Sequence, residues 1–194
     1  MNRAQDKTLM PIQILEPETD LERQLLSDQR MLEGLDWGKP RFGHPEGKVL
    51  FHIREVLDNI DRIPTYPEQR QKLRLAALVH DTFKYQEAIF PSPRSWEQNH
   101  AHLARKFLSE FVDDESLLRL VEHHDEAYYV WRSLFLEQYQ ARGKERLKQF
   151  KNLFQDQMQE YYLFFKCDTR TGDKNQAPLV WFESSMEGIN LIPL

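Results

Sequence analysis

The sequence predicts an all-α fold. Apolar residues recur at helical spacing in one segment after another, and no stretch shows the strict alternation of a half-buried strand. Breaks rich in proline and glycine separate these segments at lengths typical of helices. The 194 residues carry 40% hydrophobic and 12% aromatic content, enough for a sizeable core in one domain, and no internal repeat is present.

Residues 1–20 hold Pro11, Pro17 and several acidic groups without sustained periodicity, and read as an irregular arm. Leu21, Leu25 and Leu32 give helical spacing from Leu21 to Glu33, with Gly34 as its stop. The stretch GLDWGKPRFGHPEG is dense in glycine and proline and predicts a loop. From Lys48 a helix follows, with Val49, Ile53, Val56, Leu57 and Ile60 on one face and His52 beside it, until Pro64 and Pro67 break the pattern. Pro67 to Lys84 predicts a helix whose Leu73, Ala76, Ala77, His80 and Asp81 share one side. Residues 85–94, with Pro91 and Pro93, read as a loop. Ser95 and Gln98 then form a capping box that opens a helix over Trp96–Phe111.

On that helix His100 faces the core and His102 the opposite side. Asp114 is suited to cap a helix through Leu117, Leu120 and Val121 to Asp125, on which His124 points inward and His123 lies toward the edge. Tyr128–Arg142 and Glu145–Arg170 read as two helices separated by Gly143, the second placing Asp168 level with Tyr161, Phe164 and Phe165. The charges between Gly143 and Gln159 read as a solvated face. Thr171–Leu194 reads as an irregular tail whose Leu179, Trp181 and Phe182 pack back on the body. The expected organisation is an arm at 1–20, a helical domain at 21–170 and a packed tail at 171–194.

A formal net charge of −5 argues against general nucleic-acid binding, which rests on lysine and arginine neutralising phosphates. No apolar run approaches a membrane span, and the N-terminus has no signal-peptide pattern, so a cytoplasmic location is expected. One cysteine, Cys167, excludes an intrachain disulfide and a cysteine-rich zinc site. With seven histidines in the chain, a bound metal would be held by imidazole and carboxylate.

His52, His80, Asp81, His100, His124 and Asp168 all take inward positions on expected helices. A single histidine on an apolar face is ordinarily a satisfied core residue. Inward carboxylates are different, because an unpaired buried charge costs several kcal/mol or neutralises. Two inward aspartates among four inward histidines therefore need one another, or a cation.

His52, the pair His80-Asp81 and the late Asp168 resemble the H…HD…D pattern of the HD-domain metal-dependent phosphohydrolase superfamily. HPEG ahead of His52, HDTFK, NHAH, EHHDE and KCDTRTG resemble further segments of it, so the likeness runs from about His44 to Asp168. It implies an HD-type helical bundle in which His52, His80, Asp81 and Asp168 bind a divalent metal. His100 and one or both of His123 and His124 match positions that hold a second metal or contact substrate phosphate. Phe83 departs from the family's frequent glycine and would reshape the pocket floor.

The chemistry this implies is hydrolysis of a phosphate ester, monoester or diester, a nucleotide among the candidates, by a metal-activated water. Asp81 would bridge two metals or orient the water, Lys84 would offset phosphoryl charge, and Glu87 would move a proton. Arg41, His44 and Arg94, with Lys39, would read substrate phosphate from rim loops. Trp96, Tyr128, Tyr129 and Trp131 are stacking candidates or core residues. The cofactor would be one or two divalent ions, Mn²⁺, Fe²⁺, Co²⁺, Ni²⁺, Zn²⁺ or Mg²⁺. The partner would be a small phosphorylated substrate, with no membrane; the oligomeric state is open, a homo-oligomer included. Two alternatives keep the fold: a di-iron oxygenase, and a non-catalytic metal- or nucleotide-binding regulatory module.

Overall fold

Helices α1 (Pro11–Leu15), α2 (Asp20–Ser27) and α3 (Gln29–Asp36) open the chain in the computed structural model, which describes residues 10–136 and 140–194. Pro11 occupies the first position of α1, where its missing N–H costs nothing, and Leu15 is wholly buried. The irregular arm expected over 1–20 is thus helical from Pro11, and residues 1–9 lie outside the described residues. The single helix expected over Leu21–Glu33 is two. Thr19 caps α2 by accepting the Glu22 N–H, and Asp28 interrupts the run by accepting the Arg30 N–H at 2.8 Å to start α3. Gly34 does not end the helix but lies within α3. A Cβ there would stand 1.9 Å from the Thr82 carbonyl oxygen, so glycine lets α3 press against the residue after Asp81.

A loop of residues 37–48 carries an isolated bridge between Arg41 and His44. Next come α4 (Val49–Arg62), α5 (Pro67–Val79) and the short α6 (Lys84–Glu87), which stands where a loop was expected. His80 caps the end of α5, and Asp81 lies in the turn beyond it, not on the helix itself. The Ser95–Gln98 capping box closes only a 3₁₀ turn at Trp96–Gln98, because Asn99 breaks the chain and caps α7 (His100–Leu108) through the Ala101 N–H. His100 is therefore the first residue of its helix instead of a mid-helix residue.

Asp114 caps α8 (Glu115–Glu122) as its sequence predicts, accepting from Ser116 and Leu117. His123, His124 and Asp125 follow in a turn before α9 (Glu126–Phe135). Gly143 lies within α10 (Gln140–Leu153): the first expected helix ends earlier, with α9 at Phe135, and the second is interrupted at residues 154–157, before α11 (Met158–Thr169). The expected irregular tail contains α12 (Ala177–Ser185), whose Leu179 and Phe182 are buried against the core while Trp181 is half-buried.

Helices α4, α5 and α11 pack on one another, and α8 packs on α5 and α7. Ile53, Val56, Leu57 and Ile60 of α4 are fully buried, as are Leu73, Ala76 and Ala77 of α5. Two polar ties set this frame. Arg74 on α5 donates two hydrogen bonds, each 3.0 Å, to buried Glu22 on α2, a bidentate pair whose geometry offsets the cost of burying both charges. Asn59 on α4 donates to the carbonyls of Cys167 (2.9 Å) and Arg170 (3.1 Å), satisfying the C-terminal end of α11 beside Asp168. No described helix is long and apolar enough to cross a membrane.

Candidate metal centre

Three elements meet at one point. His52 comes from α4, His80 and Asp81 from the end of α5, and Asp168 from the last turn of α11. His52 Nε2 lies 3.0 Å from Asp168 Oδ1, 3.5 Å from Asp81 Oδ2 and 3.2 Å from His80 Nε2. His80 Nε2 lies 3.5 Å from Asp168 Oδ1 and 3.7 Å from Asp81 Oδ2.

A second group shares Asp81 through its other oxygen. Oδ1 stands 3.5 Å from His100 Nε2 and 3.6 Å from His124 Nε2. Each of those nitrogens is also 3.6 Å from Asp125 Oδ2. In the sequence Asp125 reads only as the end of the helix that Asp114 caps. Its only signal was adjacency to His124 in EHHDE.

The outer ring nitrogens explain why every imidazole turns Nε2 inward. His80 Nδ1 donates to the Ala77 carbonyl at 2.9 Å and His124 Nδ1 to the Val121 carbonyl at 2.8 Å. His100 Nδ1 lies 2.5 Å from Glu87 Oε2, and His52 Nδ1 lies 3.4 Å from Thr171 Oγ1 and 3.6 Å from Glu46 Oε1. A donor on the outer nitrogen leaves the inner one with a free lone pair, the tautomer a metal requires. The turn carrying His124 is itself held by Tyr161, whose hydroxyl donates to the His124 carbonyl (2.8 Å) and accepts the Ala127 N–H (2.9 Å).

Electrostatics differ between the groups. Burial, and then Lys174, push the His52 imidazole down to about 4, so it is neutral. Burial also pushes against charge on His124, but Asp125 and Asp81 outweigh it and hold its imidazolium up to about 9. Burial opposes the charges of Asp81 and Asp168 as well, yet Lys84 beside the first and Lys174 beside the second hold both carboxyls well below the usual range. Lys84 Nζ is 2.5 Å from Asp81 Oδ2, and Lys174 Nζ is 2.8 Å from Asp168 Oδ1. Lys174 lies between α11 and α12, where no periodicity in the sequence marks its direction.

The donor set fits a cation. Asp81 Oδ1, His100 Nε2 and His124 Nε2 are buried with no hydrogen-bond partner, which three polar atoms rarely tolerate together unless a cation satisfies them. His52, His80 and Asp81, and separately Asp81, His100 and His124, each hold their ligand atoms within 4.8 Å of one another. Mixed imidazole and carboxylate suits first-row divalent ions.

A family model for the HD domain matches residues 36–148, more than half of the chain. The chain is an HD-domain protein. No curated protein and no solved structure matches it. The HD superfamily consists mostly of metal-dependent phosphohydrolases. Asp168 and Lys174 lie beyond the matched residues, and the fold brings both to the cluster.

Other expected site residues fall as follows. Lys84 and His44 line a cavity of about 330 Å³ over the cluster, together with Asp81, Asp125 and Asp168. Arg41 is exposed and borders a narrow recess beside it, with Lys84 and His52. Glu87, expected to move a proton, instead faces the back of His100, whose hydrogen bond holds its carboxyl low. Arg94 is turned away as well, donating to the Glu87 and Phe90 carbonyls at the end of α6. His123 lies outside the cluster, stacked on Trp96 at 5.6 Å and bordering a separate recess near Arg146. His102 pairs with Glu122 at 3.0 Å, so His100 is the clustered member of NHAH. The Phe83 ring packs on Phe107 at 5.0 Å and does not line the 330 Å³ cavity.

Proposed function

We propose that this HD-domain protein is a metal-dependent hydrolase of a small phosphate ester, with two divalent ions. His52, His80, Asp81 and Asp168 would hold the first, and Asp81, His100, His124 and Asp125 the second. The observation that carries the reading is the carboxylate of Asp81, which turns Oδ2 to one group and Oδ1 to the other. A divalent ion in such a site supplies Lewis acidity and lowers the pKa of water toward neutrality.

The chain's own residues do the rest. Asp81 fixes the spacing of the two groups. Lys84, at the cavity wall, offers an ammonium to a phosphoryl oxygen; burial opposes its charge, but Asp81, Asp125 and Asp168 keep it protonated above the ordinary lysine range. Glu87 orients His100 and thereby one face of the site. Phe42 and Tyr128 border the same cavity and would pack against the organic part of the ester, which suits a nucleotide or another aromatic phosphate.

Metal analysis of protein purified without a chelator or affinity tag, followed by a panel of phosphate esters, tests the reading. Two equivalents of metal per chain, hydrolysis lost on chelation and restored by Mn²⁺ or Zn²⁺, is the expected result. A metal-replete protein that turns over no ester on the panel would overturn it. Two irons together with oxygen consumption would move the site to oxidation.

A further inference from the structure

Beyond the two ligand groups, the cavity holds a second ammonium with no part in the reading above. Lys174 Nζ lies 2.8 Å from Asp168 Oδ1 and 3.1 Å from the Asp168 carbonyl oxygen. Its loop is pinned, because Gln176 Nε2 donates both to the Lys174 carbonyl (2.8 Å) and to the Thr169 carbonyl (2.9 Å). Lys84 approaches from the start of α6 and grips the other carboxylate, Asp81. Both of those carboxylates meet at His52 Nε2, at 3.0 and 3.5 Å, so the two ammonium groups flank one point. Both lysines line the same 330 Å³ cavity.

Charge counting gives this pair a use. Asp81, Asp125 and Asp168 bring three negative charges, and the two lysines offset two of them. Two divalent ions, with His124 neutral as a ligand, would turn the sum to three positive charges. Carboxylates bound to a cation have less need of the lysines, which then face an anion in the cavity. A phosphomonoester carries between one and a half and two negative charges at neutral pH, roughly, since its second pKa is about 6. A phosphodiester carries one. The cavity is near the small end of ligand sites and is bordered by Phe42, His44, Asn175 and Pro178.

We infer that this cavity selects a phosphomonoester dianion over a phosphodiester, and that Lys174, with Lys84, reads the second negative charge. The inference rests on the phosphate-ester reading for its substrate, but anion selection is measurable without turnover. Calorimetric titration of the metal-loaded full chain with methyl phosphate and with dimethyl phosphate is the direct experiment. Methyl phosphate should bind at least about tenfold more tightly, the scale of one added charge-assisted hydrogen bond. Lys174→Met should lose about that factor for methyl phosphate, leave dimethyl phosphate within about twofold, and be largely rescued by Lys174→Arg. Metal content of each variant should match wild type.

In turnover, Lys174→Met should lower kcat/KM for p-nitrophenyl phosphate more than for its methyl ester. Equal affinity for the two methyl probes, equal losses in the variant, or a variant stripped of metal would each overturn the inference. Selective, Lys174-dependent anion binding in a protein that hydrolyses neither ester would sustain it while rejecting the hydrolase reading. Hydrolysis with no such selectivity would do the reverse.

Discussion

Asp81 divides the cluster into halves that solve the same electrostatic problem differently. On its Oδ2 side the carboxylates are compensated by side chains: Lys84 sits on Asp81 and Lys174 on Asp168. On its Oδ1 side no lysine among the described residues pairs with His100, His124 or Asp125, and Asp81 Oδ1, His100 Nε2 and His124 Nε2 lack hydrogen-bond partners. There a proton on His124, held up to about 9 by Asp125 and Asp81 against burial, takes the place of a cation. The first half is balanced before any ion enters. The second half must exchange a proton for one, because a ligating imidazole is neutral.

Removing the shared group collapses the distinction and should have the largest effect. Asp81→Asn takes a charge from both halves and leaves Lys84 without its carboxylate. Bound metal should fall from two equivalents to less than one, and hydrolysis by about 10²–10³-fold or more, the scale of deleting one electrostatic stabiliser. Inductively coupled plasma analysis beside an ester assay checks this. A variant that keeps both metals would mean that the histidines alone define the halves.

Asp125→Asn acts on one half only. The first equivalent of metal should be retained with near wild-type affinity, and the second weakened by about 10-fold or more. The same variant has a pH signature in the metal-free protein. The folded pKa of His124 lies above its ordinary 6.5, so the native state binds more protons than the unfolded state between pH 6.5 and about 9. The stability it adds is fully present below 6.5 and lost as pH rises through about 9. Without Asp125 that loss should become shallower in thermal melts taken across the window. Metal loading should flatten it in the wild type too.

Much of this site was legible because buried titratable groups were set into helical periodicity. His52 and Asp168 lie on α4 and α11, where counting positions finds the inward face. His80, Asp81 and His124 were found because they stand within one turn of a helix end. Asp125 and Lys174 were not, since their direction is set by turns after α8 and α11, and turn geometry has no period to read. The contact of Glu87 with His100 was not legible for a related reason: the two are thirteen residues apart in sequence, joined through a loop and a 3₁₀ turn. Glycines misled in the opposite sense. Gly34 and Gly143 looked like stops but lie inside helices, where they admit close neighbours: Thr82 against one and Leu134 against the other. A glycine chosen for lack of a side chain cannot be told, in sequence, from one chosen for its backbone.

The smallest effects should come from the carboxylates behind the histidines, and they rank the halves by how firmly each is held. Glu87 accepts from His100 Nδ1 at 2.5 Å, whereas Glu46 is 3.6 Å from His52 Nδ1, a position it shares with Thr171 Oγ1 at 3.4 Å. Thr171 donates its own proton to the Asp168 carbonyl at 2.7 Å, so its oxygen remains free to accept from His52. Loss of an outer partner costs about 10–100-fold in metal affinity where that partner alone orients the ring, so Glu87→Gln should weaken the second equivalent by that amount. Glu46→Gln should weaken the first by less than about tenfold, because Thr171 still holds the ring. Competition against a chelator of known affinity measures both. A reversed order would mean that Glu46, whose second oxygen is buried without a partner, moves onto His52 when the ion binds, and that the first half is completed by metal instead of being balanced in advance.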